Sequence, residues 1–255
     1  MFKRRRRKKR RSKSKQLEEL VIFLSLIISF VLMLLAKVIV FLYDIITFYT
    51  SEYKQKSGIG FFKTYFNKGN FGEFKLYRKI IKHFGKENVF TNLYLENQNT
   101  DNTEIDLIAL STHGIYVFEM KNYSGYIYGS ESNQYWTQVL NRNSKYKFYN
   151  PLKQNYVDTR AIENYLDLED NETIPIIVFS NNAKLKKIIV PNNKLIVQMR
   201  DINKIIRKNV EEKPLIFFDD KIKEFGLKFI ERSNVSQEVK NKHIEQVKEL
   251  KARKM

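Results

Sequence analysis

Hydrophobic and polar residues follow a pattern typical of two β-strands joined by a tight turn across residues 104–121. Residues 104–111 are rich in apolar side chains, and residues 115–121 are β-branched and aromatic. The Thr-His-Gly tripeptide between them has the composition of a turn. The segment therefore predicts an antiparallel β-hairpin.

The period of two in a strand gathers charged side chains at one end of this hairpin. In the second strand, Glu119 and Lys121 share a face. A two-residue turn at residues 112–113 places Asp106 opposite Glu119, and it places Glu104 opposite Lys121. A turn one residue later places Asp106 opposite Lys121, and a three-residue turn would break the parity.

The spacing of Glu119 and Lys121 carries no information by itself, because Glu-x-Lys occurs six times in this chain. Glu119 differs from the other five glutamates because it ends an apolar strand that should be buried. Charge in such a place is costly and is usually kept for a partner or for a metal ion. Two interpretations stay open: a salt-bridged strand end and a metal-binding acid.

Other periodic segments predict the elements around the hairpin. The predicted strands are residues 89–95, 125–129, 134–140, 146–149, 174–180 and 195–199, and the predicted helices are residues 71–84, 151–168, 201–208, 217–230 and 236–251. Residues 97–103 read as a polar loop. In the helix that follows Asn150-Pro151, the expected packing positions are Leu152, Tyr156, Ile162 and Leu166.

An apolar stretch near the N-terminus predicts a transmembrane helix. Residues 20–36 contain no charge, and with Lys37 and residues 38–43 they span 24 positions. At 1.5 Å per residue this length exceeds the roughly 30 Å hydrocarbon core of a bilayer. A cleaved signal peptide would be shorter and would end in small residues, and a buried core helix would not carry a polybasic flank.

Positive charge is concentrated before this stretch. The chain has a formal net charge of +18, and the first 15 residues hold eleven Lys or Arg and no acid, which leaves +7 for the rest. This tail should be disordered and bind phosphate, and a topology signal on anionic membrane lipid is favoured over a nucleic-acid arm. The positive-inside tendency places the N-terminus in the cytoplasm, while the basic residues after the span leave the side of the following domain open.

Composition limits the chemistry of any site. The chain has no cysteine, which excludes disulfides, cysteine-based zinc sites and a thiol nucleophile. The three histidines, His83, His113 and His243, lie far apart in the sequence and not at zinc-ligand spacing. Any metal ion would therefore be held by oxygen atoms.

Several motifs occur in a characteristic order over about 110 residues. They are Gly72-Glu73, Glu104-Ile105-Asp106, Gly114 before Val117-Phe118-Glu119-Met120-Lys121, Gly125 and Gly129, Trp136, and Asn150-Pro151 with Gln154. Together they resemble the NERD family, the nuclease-related domain, whose fold is similar to that of the PD-(D/E)XK restriction-endonuclease-like nucleases.

The resemblance implies an α/β fold with a restriction-endonuclease-like core, in which helices flank a mixed central sheet, here preceded by one N-terminal transmembrane helix. The resulting domain organisation is a polybasic tail (residues 1–16), a transmembrane helix (17–45), a linker (46–69), a NERD nuclease-like domain (70–200) and a C-terminal helical extension (201–255).

The resemblance also implies a catalytic site. Asp106 and Glu119 look like the carboxylates that hold one or two Mg²⁺ or Mn²⁺ ions, and Lys121 looks like the lysine of the D-(D/E)XK pattern. Glu73 resembles a helical acid that assists at the metal site, although an acid near a helix start is ordinarily just favourable for the helix dipole. Gln154 resembles a glutamine that faces the same pocket.

Two functions remain as hypotheses. The first is a membrane-anchored, metal-dependent nuclease that hydrolyses phosphodiester bonds in DNA, with the Met120 carbonyl as a further ligand of the ion. The second is a catalytically inactive, membrane-anchored module of nuclease ancestry that binds nucleic acid or protein. Expected partners are membrane lipid, through the helix and the basic tail, and nucleic acid; the sequence does not specify an oligomeric state.

Overall fold

The computed structural model describes residues 2–95, 103–191 and 193–233 and divides into two compact units, one ending at Thr50 and one starting at Ser51. The helices are α1 (Phe2–Thr50), α2 (Tyr53–Ser57), α3 (Phe61–Phe66), α4 (Lys68–Phe84), α5 (Pro151–Leu166), α6 (Ile202–Glu212) and α7 (Asp219–Ser233). The strands are β1 (Val89–Leu95), β2 (Thr103–Ser111), β3 (Gly114–Lys121), β4 (Gly125–Ser130), β5 (Tyr135–Asn141), β6 (Ser144–Tyr149), β7 (Thr173–Phe179), β8 (Ala183–Ile189) and β9 (Leu195–Gln198).

The first unit is the single helix α1. From Lys15 to Thr50 it is long and apolar enough to cross a membrane, by length and composition. The apolar side chains of residues 20–35 are exposed, as a lipid-facing helix requires. Residues 3–11 were predicted to be disordered, and this prediction is wrong because α1 includes them.

The second unit begins before the predicted domain start at residue 70. The ring of Tyr53 packs against Phe74 and Tyr77, each with 5.2 Å between ring centroids. The Tyr77 hydroxyl donates a 2.6 Å hydrogen bond to the Ser51 carbonyl. The prediction of a linker at residues 46–69 is therefore wrong: its first residues end α1, and α2 and α3 belong to the folded unit.

A five-stranded sheet of order β1-β2-β3-β7-β9 forms the centre of this unit. The β2–β3 hairpin pairs Ser111 with Gly114 and Leu107 with Phe118, which confirms the two-residue turn at residues 112–113. β1, β2 and β3 are antiparallel neighbours, whereas β3, β7 and β9 run parallel. The carboxyl ends of three strands therefore lie at one edge.

Helices cover both faces of this sheet. On one face, Phe84 of α4 packs against Tyr116 with 4.8 Å between the ring centroids. On the other, Ile162 of α5 and Phe225 and Phe229 of α7 form a core with residues of β1, β2 and β3. The predicted helical extension at residues 201–255 includes α7, and the phenylalanines of α7 are completely buried in this core.

A second, four-stranded sheet has the order β6-β5-β4-β8. Trp136 of β5 is completely buried and stacks on Phe179 of β7, with 6.2 Å between ring centroids. A Cβ at Gly129 would lie 2.1 Å from Trp136 Cδ2, so only glycine leaves room for the indole. Trp136 and Phe179 thus join the two sheets.

The α/β prediction is confirmed, with two mixed sheets flanked by helices in place of the single central sheet expected. Strand β8 was not predicted, and Tyr156 was wrongly assigned to a packing position because 59% of its surface is exposed. Most of the predicted loop at residues 97–103, and the predicted helix at residues 236–251, lie outside the described residues.

Candidate functional site

Acidic side chains meet where the β2–β3 hairpin opens. The recorded ladder ends at the pair Leu107–Phe118, so Asp106 and Glu119 come directly after the last pair. In place of a ladder partner, the Met120 amide donates a 3.1 Å hydrogen bond to Asp106 Oδ2. The β2–β3 ladder does not extend to Glu104 and Lys121, so their predicted pairing is not formed, and Glu104 pairs with Tyr94 of β1 on its other side.

The backbone of Met120 faces the same opening. Lys121 accepts a hydrogen bond at its carbonyl from the Ser180 amide on the β7 side, at 3.0 Å. Because backbone polar groups alternate sides along a strand, those of the preceding residue face β2. The Met120 carbonyl is therefore directed to the side on which Asp106 lies.

Lys121 connects β3 with α5. Its Nζ lies 2.5 Å from Glu119 Oε1 and donates a 3.0 Å hydrogen bond to Gln154 Oε1. Gln154 is held there because Asn150 caps α5 by accepting a hydrogen bond from the Leu152 amide, at 3.0 Å. Burial alone would lower the pKa of Lys121, but the charges of Glu119 and Asp106 raise it above its ordinary value, so the amine stays protonated.

Glu119 is the most unusual group of the site. Only 1% of its surface is exposed, and among the residues that the structure describes no donor completes a hydrogen bond of good geometry to either carboxylate oxygen. Burial raises the pKa of Glu119 to about 7, against the opposing effect of Lys121, and the charge of Asp158 adds to the rise. Oε1 has the Lys121 ammonium as its ion-pair partner, so Oε2 is the oxygen left without one, and a buried carboxylate of this kind is a ready ligand for a cation.

Asp106 and Glu73 belong to the same cluster of negatively charged side chains as Glu119. Burial, followed by the charge of Glu119, raises the pKa of Asp106 well above its usual range, although the carboxylate keeps some exposed surface. Burial, followed by the charges of Asp106 and Glu104, does the same to the pKa of Glu73. These carboxylates compete for positive charge, and Lys121 lowers the pKa of both.

The start of α4 lies against the end of β3, which brings Glu73 into the site. Asn122 Nδ2 donates a 2.6 Å hydrogen bond to the Lys68 carbonyl. A Cβ at Gly72 would lie 2.6 Å from Asn122 Cβ, so this close approach requires glycine. Glu73 is therefore directed over the end of the sheet and is more than a partner of the helix dipole.

Asp158 is a further acid of the site that the sequence analysis missed. It is 2% exposed and accepts a 2.6 Å hydrogen bond from Thr103 Oγ1. Burial raises the pKa of Asp158 to about 8, with the Thr103 hydrogen bond opposing and the charge of Asp106 contributing to the rise. Its signal was available, because Asp158 follows Gln154 by four residues and shares its face of α5.

The residues present fit a hard divalent cation. Asp106, Glu119 and the Met120 carbonyl are oxygen ligands of the kind that Mg²⁺ and Mn²⁺ prefer, and Oε2 of Glu119 has no hydrogen-bond donor among the described residues. Within residues 2–95, 103–191 and 193–233, no three Asp, Glu or His side chains are gathered closely enough to surround an ion. Two carboxylates and one carbonyl are the set that the sequence predicts.

All five predicted site residues lie at this one end of the sheet. Glu119, Lys121 and Gln154 form a continuous chain of contacts, and Asp106 and Glu73 are coupled to them by charge. Their catalytic and metal-binding roles stay predictions.

Comparison with known proteins identifies the family of this region. Residues 68–180 match the model of NERD, the nuclease-related domain. An uncharacterised protein of Bacillus anthracis, pXO1-01, is 28% identical over 180 residues, which cover 69% of this chain and 82% of that protein. The crystal structure of AF1548, a protein of unknown function, covers 73% of this chain and 100% of its own at 15% identity, with a TM-score of 0.27. The family match is thus confined to residues 68–180, which are similar to the nuclease-related domain.

Proposed function

We propose that this protein is a membrane-anchored, metal-dependent nuclease that hydrolyses phosphodiester bonds in DNA by chemistry of the PD-(D/E)XK type. The observation that carries the proposal is Glu119, which is 1% exposed and pairs with the protonated Lys121 through Oε1, while its buried Oε2 has no hydrogen-bond donor among the described residues. A purely structural ion pair would gain from satisfying that second oxygen. The match to a nuclease-related domain supports the same conclusion.

Asp106, Glu119 and the Met120 carbonyl would hold the ion. A bound Mg²⁺ or Mn²⁺ supplies a lowered pKa for its water and neutralises charge on the phosphate. The Met120 amide fixes Asp106 through Oδ2, so the second oxygen of that carboxylate is oriented before any ligand binds. Such preorganisation lowers the cost of binding.

Lys121 would act on the phosphate. Its ammonium is held between Glu119 and Gln154 and is 15% exposed, so it is accessible from one side only. A positive charge placed there stabilises the negative charge that develops as the phosphodiester bond breaks. Gln154 positions this ammonium, because its Oε1 accepts one of the three N–H groups.

Glu73 and Asp158 would tune the protonation of the site. Each adds negative charge near Asp106, which raises the affinity for a cation and makes the empty site retain protons. Asp158 is also tied to β2 through Thr103, so it fixes the distance between α5 and the hairpin.

Helix α1 would be the membrane anchor. Its stretch from Lys15 to Thr50 has the length and composition of a span, and the basic residues that precede it favour contact with anionic headgroups. Nucleic acid would be the second partner, at the site of the other unit.

Cleavage of plasmid and single-stranded DNA in Mg²⁺ or Mn²⁺ tests the proposal. Glu119→Gln should lower the rate roughly 10²- to 10³-fold, since it removes a charged group that acts on the reacting atoms. The matched control is Glu163→Gln, a second buried glutamate whose oxygens are paired with Thr173 and Arg160. The control should stay within a few-fold of the wild type, and equal rates for wild type and Glu119→Gln would refute the nuclease assignment.

An inactive wild type would point to the second function. If the protein neither cleaves DNA nor gains thermal stability from millimolar Mn²⁺, the domain binds nucleic acid or protein without cutting it. Stabilisation by Mn²⁺ without cleavage would separate ion binding from catalysis.

A further inference from the structure

The four-stranded sheet has an unusual composition. Its strands β4, β5, β6 and β8 contain no Asp or Glu, although the chain has 28 acidic residues. The same strands carry five lysines, Lys145, Lys147, Lys184, Lys186 and Lys187. This sheet is therefore a concentrated positive surface on a unit that is only mildly basic overall.

The sheet has two faces of different character. The inner face carries Ile127 and Trp136, which are buried against β7. Strand alternation and pairing place every second position of each strand on the other side. This outer face carries Ser130, Thr137, Val139 and Ile189 together with four tyrosines and four lysines, namely Tyr126, Tyr128, Tyr135, Tyr149, Lys145, Lys147, Lys184 and Lys186.

Contacts on the outer face mix aromatic rings with ammonium groups. The Nζ atoms of Lys184 and Lys186 lie 5.5 and 5.6 Å from the ring centroid of Tyr126. Tyr135 and Tyr149 pair across strands with their ring centroids 6.1 Å apart. Tyr126, Tyr135 and Tyr149 keep 37–38% of their surface exposed. Cation–π contacts at exposed sites are weak, so a polyanion can draw these ammonium groups away from the ring.

We propose that the outer face binds single-stranded nucleic acid, with bases stacked on the tyrosines and phosphates held by the lysines. An aromatic ring stacks on any base, and a row of lysines follows a phosphate backbone without reading sequence. The lack of acidic side chains on these strands removes the repulsion that a polyanion would otherwise meet. This binding does not depend on cleavage at the acidic site.

A single strand fits this face better than a duplex or a lipid surface. A duplex keeps its bases stacked inside and offers phosphates and groove edges, so it would leave the tyrosine rings unused. Membrane-surface sites insert apolar side chains into the headgroup region, whereas the rings here lie along a sheet with about two thirds of their surface covered. The pattern of rings and charges matches unstacked bases and their phosphates.

Fluorescence anisotropy of labelled oligothymidylate tests the aromatic part. The full chain is held in nanodiscs of zwitterionic lipid with EDTA, which prevents metal-dependent cleavage, and every variant keeps the basic tail. Tyr126→Ala should weaken binding roughly 5- to 150-fold through the loss of one stacked base. Tyr126→Phe should bind as the wild type does. The matched control is Tyr156→Ala, an exposed tyrosine of α5.

The salt dependence of the same binding tests the lysines. Lys184→Gln with Lys186→Gln should reduce the slope of log K against log salt by about 1.4, because each lost phosphate contact on a single strand removes roughly 0.7. The matched control is Lys204→Gln with Lys208→Gln on exposed positions of α6, and it should leave the slope unchanged.

Three results would overturn the proposal. The first is equal affinity for the outer-face variants and their controls. The second is a duplex of the same length that loses as much affinity in Tyr126→Ala as the single strand does. The third is hydrogen-exchange protection of β4, β5 and β6 by nanodiscs of anionic lipid but not by oligothymidylate, which would assign the face to a membrane surface.

Discussion

The parallel pair β3 and β7 buries a glutamate near each end, and the two glutamates are treated in opposite ways. Near the amino end, Glu163 of α5 accepts a 2.6 Å hydrogen bond from Thr173 at Oε1 and one of 2.7 Å from Arg160 at Oε2. Near the carboxyl end, Glu119 has only the Lys121 ammonium at Oε1, and its Oε2 has no hydrogen-bond donor among the described residues. Both are nearly inaccessible, at 7% and 1% exposure.

Burial alone therefore does not distinguish a structural acid from a functional one. Glu163 ties a helix to the start of a strand, and Arg160 continues to Asp170 at 2.8 Å, so every charge there has a protein partner. Glu119 shares one ammonium with Gln154 and lies near Asp106, whose pKa is raised by the crowding. The carboxyl end of parallel strands is also the edge at which open α/β sheets usually bind ligands.

The largest expected effect is a difference in stability between variants of the two glutamates. Glu163→Ala should lower the free energy of unfolding by about 2–3 kcal/mol, because it leaves a buried Thr173 hydroxyl without an acceptor. Glu119→Gln, without divalent cations at pH 8, should leave stability unchanged or raise it, because a costly buried charge is removed. Urea unfolding of the full chain in nanodiscs, followed by near-UV circular dichroism, measures both.

A variant of an exposed glutamate is the control for this difference in stability. Glu231→Ala on α7 should change the free energy of unfolding by less than about 0.5 kcal/mol. A loss in Glu119→Gln as large as that in Glu163→Ala would mean that both glutamates are structural.

A smaller effect is expected from pH. The pKa in the folded protein is about 7 for Glu119 and about 8 for Asp158, above the ordinary values of 4.5 and 3.8. At a pH between the ordinary and the raised value, the folded protein therefore binds more protons than the unfolded chain does. Stability should then fall as pH rises from about 5 to 8 without divalent cations, because the carboxylates lose their protons while they stay buried.

The pH dependence of Glu119→Gln identifies the source of this loss. The variant cannot ionise at position 119, so its unfolding free energy should decrease less steeply over the same range. Parallel curves for the variant and the wild type would show that the proton held by Glu119 does not contribute.

The smallest expected effect is stabilisation by a cation. Mn²⁺ at ten times its dissociation constant should raise the free energy of unfolding by about 1.4 kcal/mol, and more at pH 8 than at pH 6, because the carboxylates must lose protons to bind it. Glu119→Gln should lose this gain and Glu163→Gln should keep it. Calorimetry in buffers of different ionisation enthalpy would detect the released protons, and their absence would contradict binding at these acids.

Local rules allowed the hairpin and its charged end to be predicted. The Thr-His-Gly turn admits a two-residue loop, and once Ser111 pairs with Gly114 the period of two fixes Asp106 and Glu119 on neighbouring positions. The structure adds that the β2–β3 ladder stops there, which is why the Met120 amide donates its hydrogen bond to the Asp106 side chain. No sequence pattern encodes the place where a ladder ends.

Other features could not be predicted because they depend on distant contacts. β8 reads as a polar, lysine-rich segment, and it becomes a strand only because β4 offers an edge for parallel pairing. The helix at residues 217–230 was predicted, but its burial was not, because the core formed by β1 and β2 is what gives Phe225 and Phe229 a place to be buried. Asp158 is different, because its place four residues after Gln154 on the same helix face can be read from the sequence.

The contact between Trp136 and Phe179 gives the protein a built-in optical reporter. Trp136 is the single tryptophan in the chain, and Phe179, on which it stacks, is the strand partner of Lys121. Its ring is completely buried and its indole N–H donates to the Ser130 carbonyl at 2.9 Å, so water is excluded and the emission should be blue-shifted while the two sheets remain together. Any ligand that displaces β7 will therefore shift the emission wavelength of Trp136, and no added label is needed to detect it.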